Sequence, residues 1–483
     1  MLIRVLSCTL LVATVAPGGQ SAAWSQALPA NESSMLTPPP VSVEAYPSQV
    51  GSEVRSNYLR YGVNLSAGYI DNLYAGSGSA VIGETTYSIW PTVAFDATTY
   101  RQHGAVVYSP GFTFYQPTSA LNEIDQNAIF SYRFRLTPHA TISANDTFQR
   151  GATSFSPTFS AGGVISGSTS SAPGVTAPYA NHLTNVANAE FSLQFSPRNM
   201  IGMSGRLYNL HYPNPSEVPG LYDSDEGGGA AFYNRRITDT QYAGITYRYA
   251  RIQAFPPQDL QNETQAQTIS LFYTIYLKQA VSFSIAGGPQ YFDSQGSVPT
   301  IYLKQAISSS IAGGPQYFDS QASVPSSSSS AQQIETSQTS LVTTNSWSPA
   351  VIASMGWQQR HTNFAASYAR SIAAGGGLLG TYDSNSASAL ARWQASRTWT
   401  VGASATYEII KAITPPLLSS TSGGHTVAGM VTVEHPINDH FSLTFEYDRL
   451  HQSYNGIAAI DTNPDSNRGM VSVSWRFARP LGR

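Results

Sequence analysis

Arg133 and Arg135 stand two residues apart with Phe134 between them, and Glu446 and Asp448 do the same around Tyr447. Successive side chains of a strand point to opposite faces, so each charged pair shares a face that its apolar neighbour avoids. Followed through the other alternating segments, the same parity collects Asp96, Glu190, Arg206 and Arg248 with the arginines, Glu408 and Glu434 with the acids, and Arg476 on the last segment. Basic residues dominate the early and middle segments, acidic residues the late ones. Facing a water-filled lumen, two such arcs would create a transverse field that orders dipolar solutes and tunes ion selectivity. In a narrow or plugged lumen the same charges would pair with one another.

Catalytic chemistry has less support. Seven of the nine histidines (His103, His139, His182, His361, His425, His440 and His451) fall in or near turns and loops. A Gly-x-Ser-x-Gly elbow, a His-Glu-x-x-His helix and a phosphate loop are all absent. The run Asp-Thr-Asn-Pro-Asp-Ser-Asn at 461–467 lacks the glycine and the twelfth-position glutamate of a calcium loop and reads as a solvated turn. No catalytic residue, metal or cofactor is expected, and the chain does not read as an enzyme, although a barrel wall can build a site without a local motif.

The elements that must position these charges show first in composition. The 483 residues are only 11% charged and 41% hydrophobic, with 28 Tyr, 20 Phe and 7 Trp, and the mean hydropathy is −0.16. Charge near a quarter of the residues is usual in soluble domains, so this chain departs from them. Beyond the first twenty residues no apolar run reaches the roughly 18 to 20 that a spanning helix needs. A net charge of −3 leaves no electrostatic footprint for nucleic acid.

From Tyr58 onward the chain alternates apolar and polar residues in segments of about ten, as in Phe-Ser-Leu-Thr-Phe-Glu-Tyr at 441–447 and Val-Ser-Val-Ser-Trp-Arg-Phe at 471–477. The joints alternate too. Eight are tight, near 101–104, 137–140, 196–199, 237–240, 277–280, 358–361, 396–399 and 436–439. Nine are long and rich in Gly, Ser, Pro or Asn, near 73–86, 117–125, 151–182, 213–226, 254–265, 294–345, 372–384, 411–424 and 453–466. Short turns alternating with long loops are the pattern of an antiparallel up-and-down transmembrane β-barrel. Eight plus nine connections predict 18 strands, with 16 or 20 as alternatives. A soluble sandwich or propeller would not give one uniformly apolar face or two such unequal ends. Closure explains why lipid selects a barrel, since it leaves no strand edge unpaired. Aromatics near strand ends, Tyr61, Trp90, Tyr115, Trp347, Trp357, Trp399 and Trp475, fit interfacial girdles.

Residues 1–27 resemble a secretory signal peptide, with Arg4, an apolar stretch at 5–16, and small-residue cleavage sites ending at Ala23 or Ala27. Either cut removes Cys8, the single cysteine, leaving a thiol-free chain suited to the bacterial cell envelope. A lipoprotein reading of Val-Leu-Ser-Cys at 5–8 leaves no hydrophobic stretch ahead of the cysteine. Residues 28–57, rich in Pro and Ser, read as a flexible periplasmic segment, and 58–483 as the barrel. Residues 274–299 recur at 300–325 with differences only at 281/307, 283/309 and 296/322. The second copy either swells an outer loop or adds a hairpin and makes 20 strands. The loop is favoured, because Ser309 replaces Phe283 on the lipid-facing parity.

The terminal strand Met-Val-Ser-Val-Ser-Trp-Arg-Phe at 470–477, the alternating body and the strand pair around Ser-Pro-Arg-Asn at 196–199 resemble the outer-membrane β-barrel porin families of Gram-negative bacteria, over about 58–483. Such barrels usually stop at the terminal aromatic, whereas this chain continues Ala-Arg-Pro-Leu-Gly-Arg after Phe477. The resemblance implies an integral outer-membrane barrel whose partners are outer-membrane lipid, the barrel assembly machinery and small hydrophilic solutes. Because some members resemble exopolysaccharide export barrels, it also implies polysaccharide export as an alternative to a passive channel. A non-conducting adhesion or surface-display barrel is a third reading, resting on the nine long loops.

Overall fold

Alternation of this kind buries one strand face only if the sheet curls on itself, and it does. The computed structural model describes residues 57–480 apart from 74–81, 154–157, 161–162, 166–178, 218–220, 257–261, 278–280, 300–318, 322–338, 360, 375–380, 414–422 and 456–464. Eighteen strands form the wall: β1 (Tyr58–Ile70), β2 (Glu84–Thr98), β3 (Gln102–Gln116), β4 (Glu123–Thr137), β5 (Ala140–Thr153), β6 (Tyr179–Ser196), β7 (Asn199–His211), β8 (Asp223–Thr238), β9 (Gln241–Phe255), β10 (Asn262–Leu277), β11 (Val281–Pro299), β12 (Thr339–Gln358), β13 (Thr362–Ala374), β14 (Thr381–Gln394), β15 (Thr400–Ala412), β16 (Gly423–Pro436), β17 (Phe441–Asn455) and β18 (Asp465–Pro480). Each is antiparallel to its neighbours, and β18 pairs with β1 from Ile70↔Arg468 to Tyr58↔Pro480, which closes the barrel. The residues after Phe477 therefore belong to the wall: Ala478, Arg479 and Pro480 pair with Arg60, Leu59 and Tyr58.

All eight tight joints lie at one end and all nine long ones at the other, as the sequence predicts. Strand β1 begins at the turn end, where the Asn57 side chain accepts a hydrogen bond from the Thr98 backbone N–H at 3.0 Å. The signal-peptide assignment, and all but Asn57 of the 28–57 segment, lie outside the described residues.

Outward positions carry an apolar belt: Leu65, Val93, Phe130, Met203, Ile269, Leu271, Phe445 and Val473 are all exposed. Water would penalise such a surface, whereas hydrocarbon does not. Toward the loop end the outer face turns polar. There Arg251 grips Glu263 through two hydrogen bonds of 2.8 and 2.7 Å.

The girdle assignment needs correcting at two positions. Trp347, Trp357 and Trp399 are exposed, and Tyr61 lies beside Phe477 with ring centroids 5.1 Å apart, but Trp90 and Tyr115 are buried inside the barrel. Their parity explains this, since Trp90 alternates in step with Asp96. Four inward aromatics find room over a glycine. Trp90 lies over Gly111, where a Cβ would sit 2.5 Å from the indole. Phe232 likewise covers Gly202, Phe272 covers Gly244, and Tyr454 covers Gly424. The last three pairs fall at directly opposed positions of adjacent strands, the arrangement in which an aromatic ring shields a strand glycine.

The duplication adds no wall strand, because β11 pairs directly with β12 from Val281↔Trp357 to Pro299↔Thr339. Of the second copy only Asp319–Gln321 is described, and its backbone pairs with Asn345, Thr344 and Thr343. The matching tripeptide of the first copy, Asp293 to Gln295, pairs with the same three residues. Deleting 300–325 should therefore leave an 18-strand barrel. Shortening the β11–β12 connection about threefold should stabilise it by no more than about 1 kcal/mol. Gel mobility before and after heating checks this, and loss of the compact unheated form would make the second copy part of the wall.

Candidate functional site: the inner wall

The inward face is set by the same alternation, and all eleven charged residues singled out from the sequence project from it. Asp96 lies near the turn end, 3.9 Å from His103 Nδ1. Arg133 and Glu190 share one row of the wall, each directly opposite Ser143 of β5. Arg206 is one row nearer the loop end, opposite Asn188, and Arg135 lies two residues closer to the turn than Arg133. Arg248 donates to Glu226 at 3.1 Å. Glu408 accepts from the Ser384 hydroxyl at 2.8 Å. Glu434 pairs with Arg476 at 3.1 Å, and Arg476 also donates to the Ser442 hydroxyl at 3.0 Å.

Glu446 and Asp448 meet a residue the sequence reading left out. Arg468, 6% exposed, bonds Glu446 at 2.6 Å and Asp448 at 2.9 and 2.8 Å. The acidic arc of the late strands thus contains its own counter-ions on β18. Four more inward acids were missed: Glu84, Glu123, Asp125 and Glu226. Glu84, with no exposed surface, accepts from the Thr118 backbone N–H at 3.3 Å and from its hydroxyl. Parity could have found all five, since Arg468 is in step with Arg476, and Glu123 and Asp125 are in step with Arg133 and Arg135.

The lumen divides into two kinds of surface. On one side residues from strands that are not neighbours touch across the interior: Tyr208 and Leu210 of β7, with Tyr212 and Leu221 beyond it, pack with Tyr382 of β14, Ile410 of β15 and Tyr454 of β17. Ala266 and Phe292 meet Ile372 in the same way. These contacts form an apolar septum. On the other side, between β1–β4 and β16–β18, runs a polar cleft with a cavity of about 50 Å³, room for a few water molecules. Asn64, Ser66, Ser88, Thr113, Ser472 and Ser474 line it, and it reaches from Glu434 and Arg476 near the turns to Tyr115, Glu123 and Arg468 near the loops. Along β18 alone, Arg468 to Arg476 spans about 26 Å at ~3.3 Å per residue. Hydroxyl pairs such as Ser88 with Thr113 at 3.1 Å and Thr92 with Ser109 at 2.8 Å tie adjacent strands along this wall.

No family model matches the chain, and no curated protein matches it. Solved structures similar to it include the ferric-catecholate import receptor Fiu from E. coli K12, with 10% identity over 88% of this chain and 82% of the other and a TM-score of 0.41. OccAB4 from Acinetobacter baumannii has 9% identity over 88% and 98% of the two chains and a TM-score of 0.39. OpdQ from Pseudomonas aeruginosa has 10% identity over 87% and 99% and a TM-score of 0.39.

Proposed function

We propose that this protein is an integral outer-membrane barrel acting as a narrow, passive, water-filled channel for small hydrophilic solutes, which cross it along the polar cleft between β1–β4 and β16–β18. The observation that carries this reading is the polar lining of the cleft, whose residues include the Arg476–Glu434 pair toward the turn end and Glu123 and Arg468 toward the loop end. An apolar belt outside and a hydroxyl-lined route inside are what a channel wall needs. The septum weighs against export of a polysaccharide, since the cross-lumen contacts of Tyr208, Leu210, Tyr382 and Tyr454 take up the interior a polymer would need.

Purified protein in planar bilayers should give small ohmic current steps, and proteoliposomes should admit small ions and the smallest polar solutes while excluding oligosaccharides. A correctly folded barrel without conductance would refute the channel. Passage of oligosaccharides would favour the export reading instead.

A further inference from the structure

Along the cleft lie acceptors whose bonding is incomplete. Asp125, 3% exposed, has one carboxylate oxygen with no hydrogen-bond partner, and so do the buried Oε2 of Glu123 and the buried Oδ1 of Asn64. All three residues line the same cavity. Glu123 and Asp125 are two apart on the inward face of β4. The Tyr115 hydroxyl donates to the other Glu123 oxygen at 2.8 Å. The two guanidinium groups of the cleft are committed elsewhere, Arg468 to Glu446 and Asp448 and Arg476 to Glu434. Burying carboxylate oxygens without donors is costly, so the site favours a ligand that brings both positive charge and N–H groups.

Two aromatics line the same cavity. Trp90 lies over Gly111, the residue directly opposite Asp125 in the β3–β4 ladder, and Tyr115 is held against Glu123. Carboxylates beside indole and phenol rings suit an organic cation, which gains from ring faces as well as from acceptors. Among the described residues no three His, Cys, Asp or Glu side chains converge as a metal-ligand set.

We propose that Glu123 and Asp125, with Trp90 and Tyr115, form a recognition subsite for a primary ammonium group, so that the solutes entering the cleft include small organic amines. This rests on the channel reading for its solute class, but the site binds whether or not the barrel conducts. The test is titration of the detergent-solubilised protein with ethylammonium chloride at constant ionic strength, followed by tryptophan fluorescence, with Trp90→Phe to locate the signal. Saturable binding is expected, weakened at least tenfold by Glu123→Gln with Asp125→Asn and unchanged by Glu263→Gln on the outer face. Tetramethylammonium, which has the charge without N–H donors, should bind several-fold more weakly. Should the double variant fail to show the compact unheated form on gels, Asp125→Asn alone serves in its place, with a several-fold loss expected. Equal binding of tetramethylammonium, unchanged binding by the variants, or calcium displacing ethylammonium at lower concentration would each overturn the assignment.

Discussion

Arg468→Met is expected to lower the unfolding free energy by about 3 to 5 kcal/mol, because it removes one partner from a buried ionic group and leaves the others uncompensated. The guanidinium joins Glu446 and Asp448 inside the wall, with side-chain exposures of 8%, 2% and 4%. Asp448 is its direct partner across the β17–β18 ladder, while Glu446 lies one residue pair further toward the turns, opposite Met470. Methionine fills similar volume, so the loss is electrostatic: two carboxylates two residues apart must share a low-dielectric wall without a cation, and one of them must take up a proton. Adding Glu446→Gln and Asp448→Asn to Arg468→Met should recover much of the loss, since neutral amides remove the repulsion. Denaturant midpoints of the single and triple variants, with the folded form followed by gel mobility, measure the difference. A single variant within 1 kcal/mol of the parent would mean that water reaches the group and screens it. Arg468 also borders the β18–β1 closure through Ile70, so unfolding of the variant should begin at that seam.

The wall was readable from the sequence because a two-faced strand carries its own evidence. Every tight joint and every long one falls where turn residues interrupt the alternation, and the strand number follows from counting them. The eleven inward charges follow from the same parity, which is a local property. What one strand cannot show is its neighbour's register. The pairing of Arg476 with Glu434 joins β18 to β16, two strands away, and the Arg468 group depends on offsets set by turns and strand tilt. Arg468 itself adjoins the 453–466 connection, and the parity of Arg476 reaches it when followed back to the start of β18 at Asp465.

Trp90 and Tyr115 fail for a different reason. Nearness to a strand end suggests an interfacial ring, but parity decides the face, and an inward tryptophan is tolerable only where the residue it covers is small. That residue, Gly111, belongs to another strand. The apolar septum was hidden in the same way: Tyr208, Tyr382 and Tyr454 each alternate with outward residues and only in three dimensions meet one another. Sequence thus defines which face a residue takes, while the shape of the lumen depends on contacts between strands far apart in the chain.

The same dependence makes Gly244→Ala the second large expected effect, at about 3 kcal/mol of lost stability, with Gly244→Val preventing assembly. Gly244 lies on β9 between Asn234 of β8 and Phe272 of β10. A Cβ there would overlap the Tyr233 carbonyl oxygen on one side and the Phe272 ring on the other. The ring is itself packed with Ala286, Ile352 and Ala369 and is only 4% exposed, so it has no space into which to retreat. Overpacking of this kind costs about 1 to 3 kcal/mol when the surroundings can shift. Here the carbonyl can shift only by disturbing the β8–β9 ladder, which places the effect at the upper end. Adding Phe272→Ala to Gly244→Ala should cost less than the roughly 3 to 5 kcal/mol that losing a buried phenylalanine usually does, because it clears the ring that the Cβ meets while the carbonyl stays in the way. Gly469→Ala is the matching control: nothing lies within 4 Å of its Cβ position, and the substitution should be neutral or stabilise by up to about 1 kcal/mol through the unfolded chain. Denaturant unfolding of the four variants decides the matter. If Gly244→Ala and Gly469→Ala behave alike, the close approach of Phe272 to β9 does not hold the inner wall in shape.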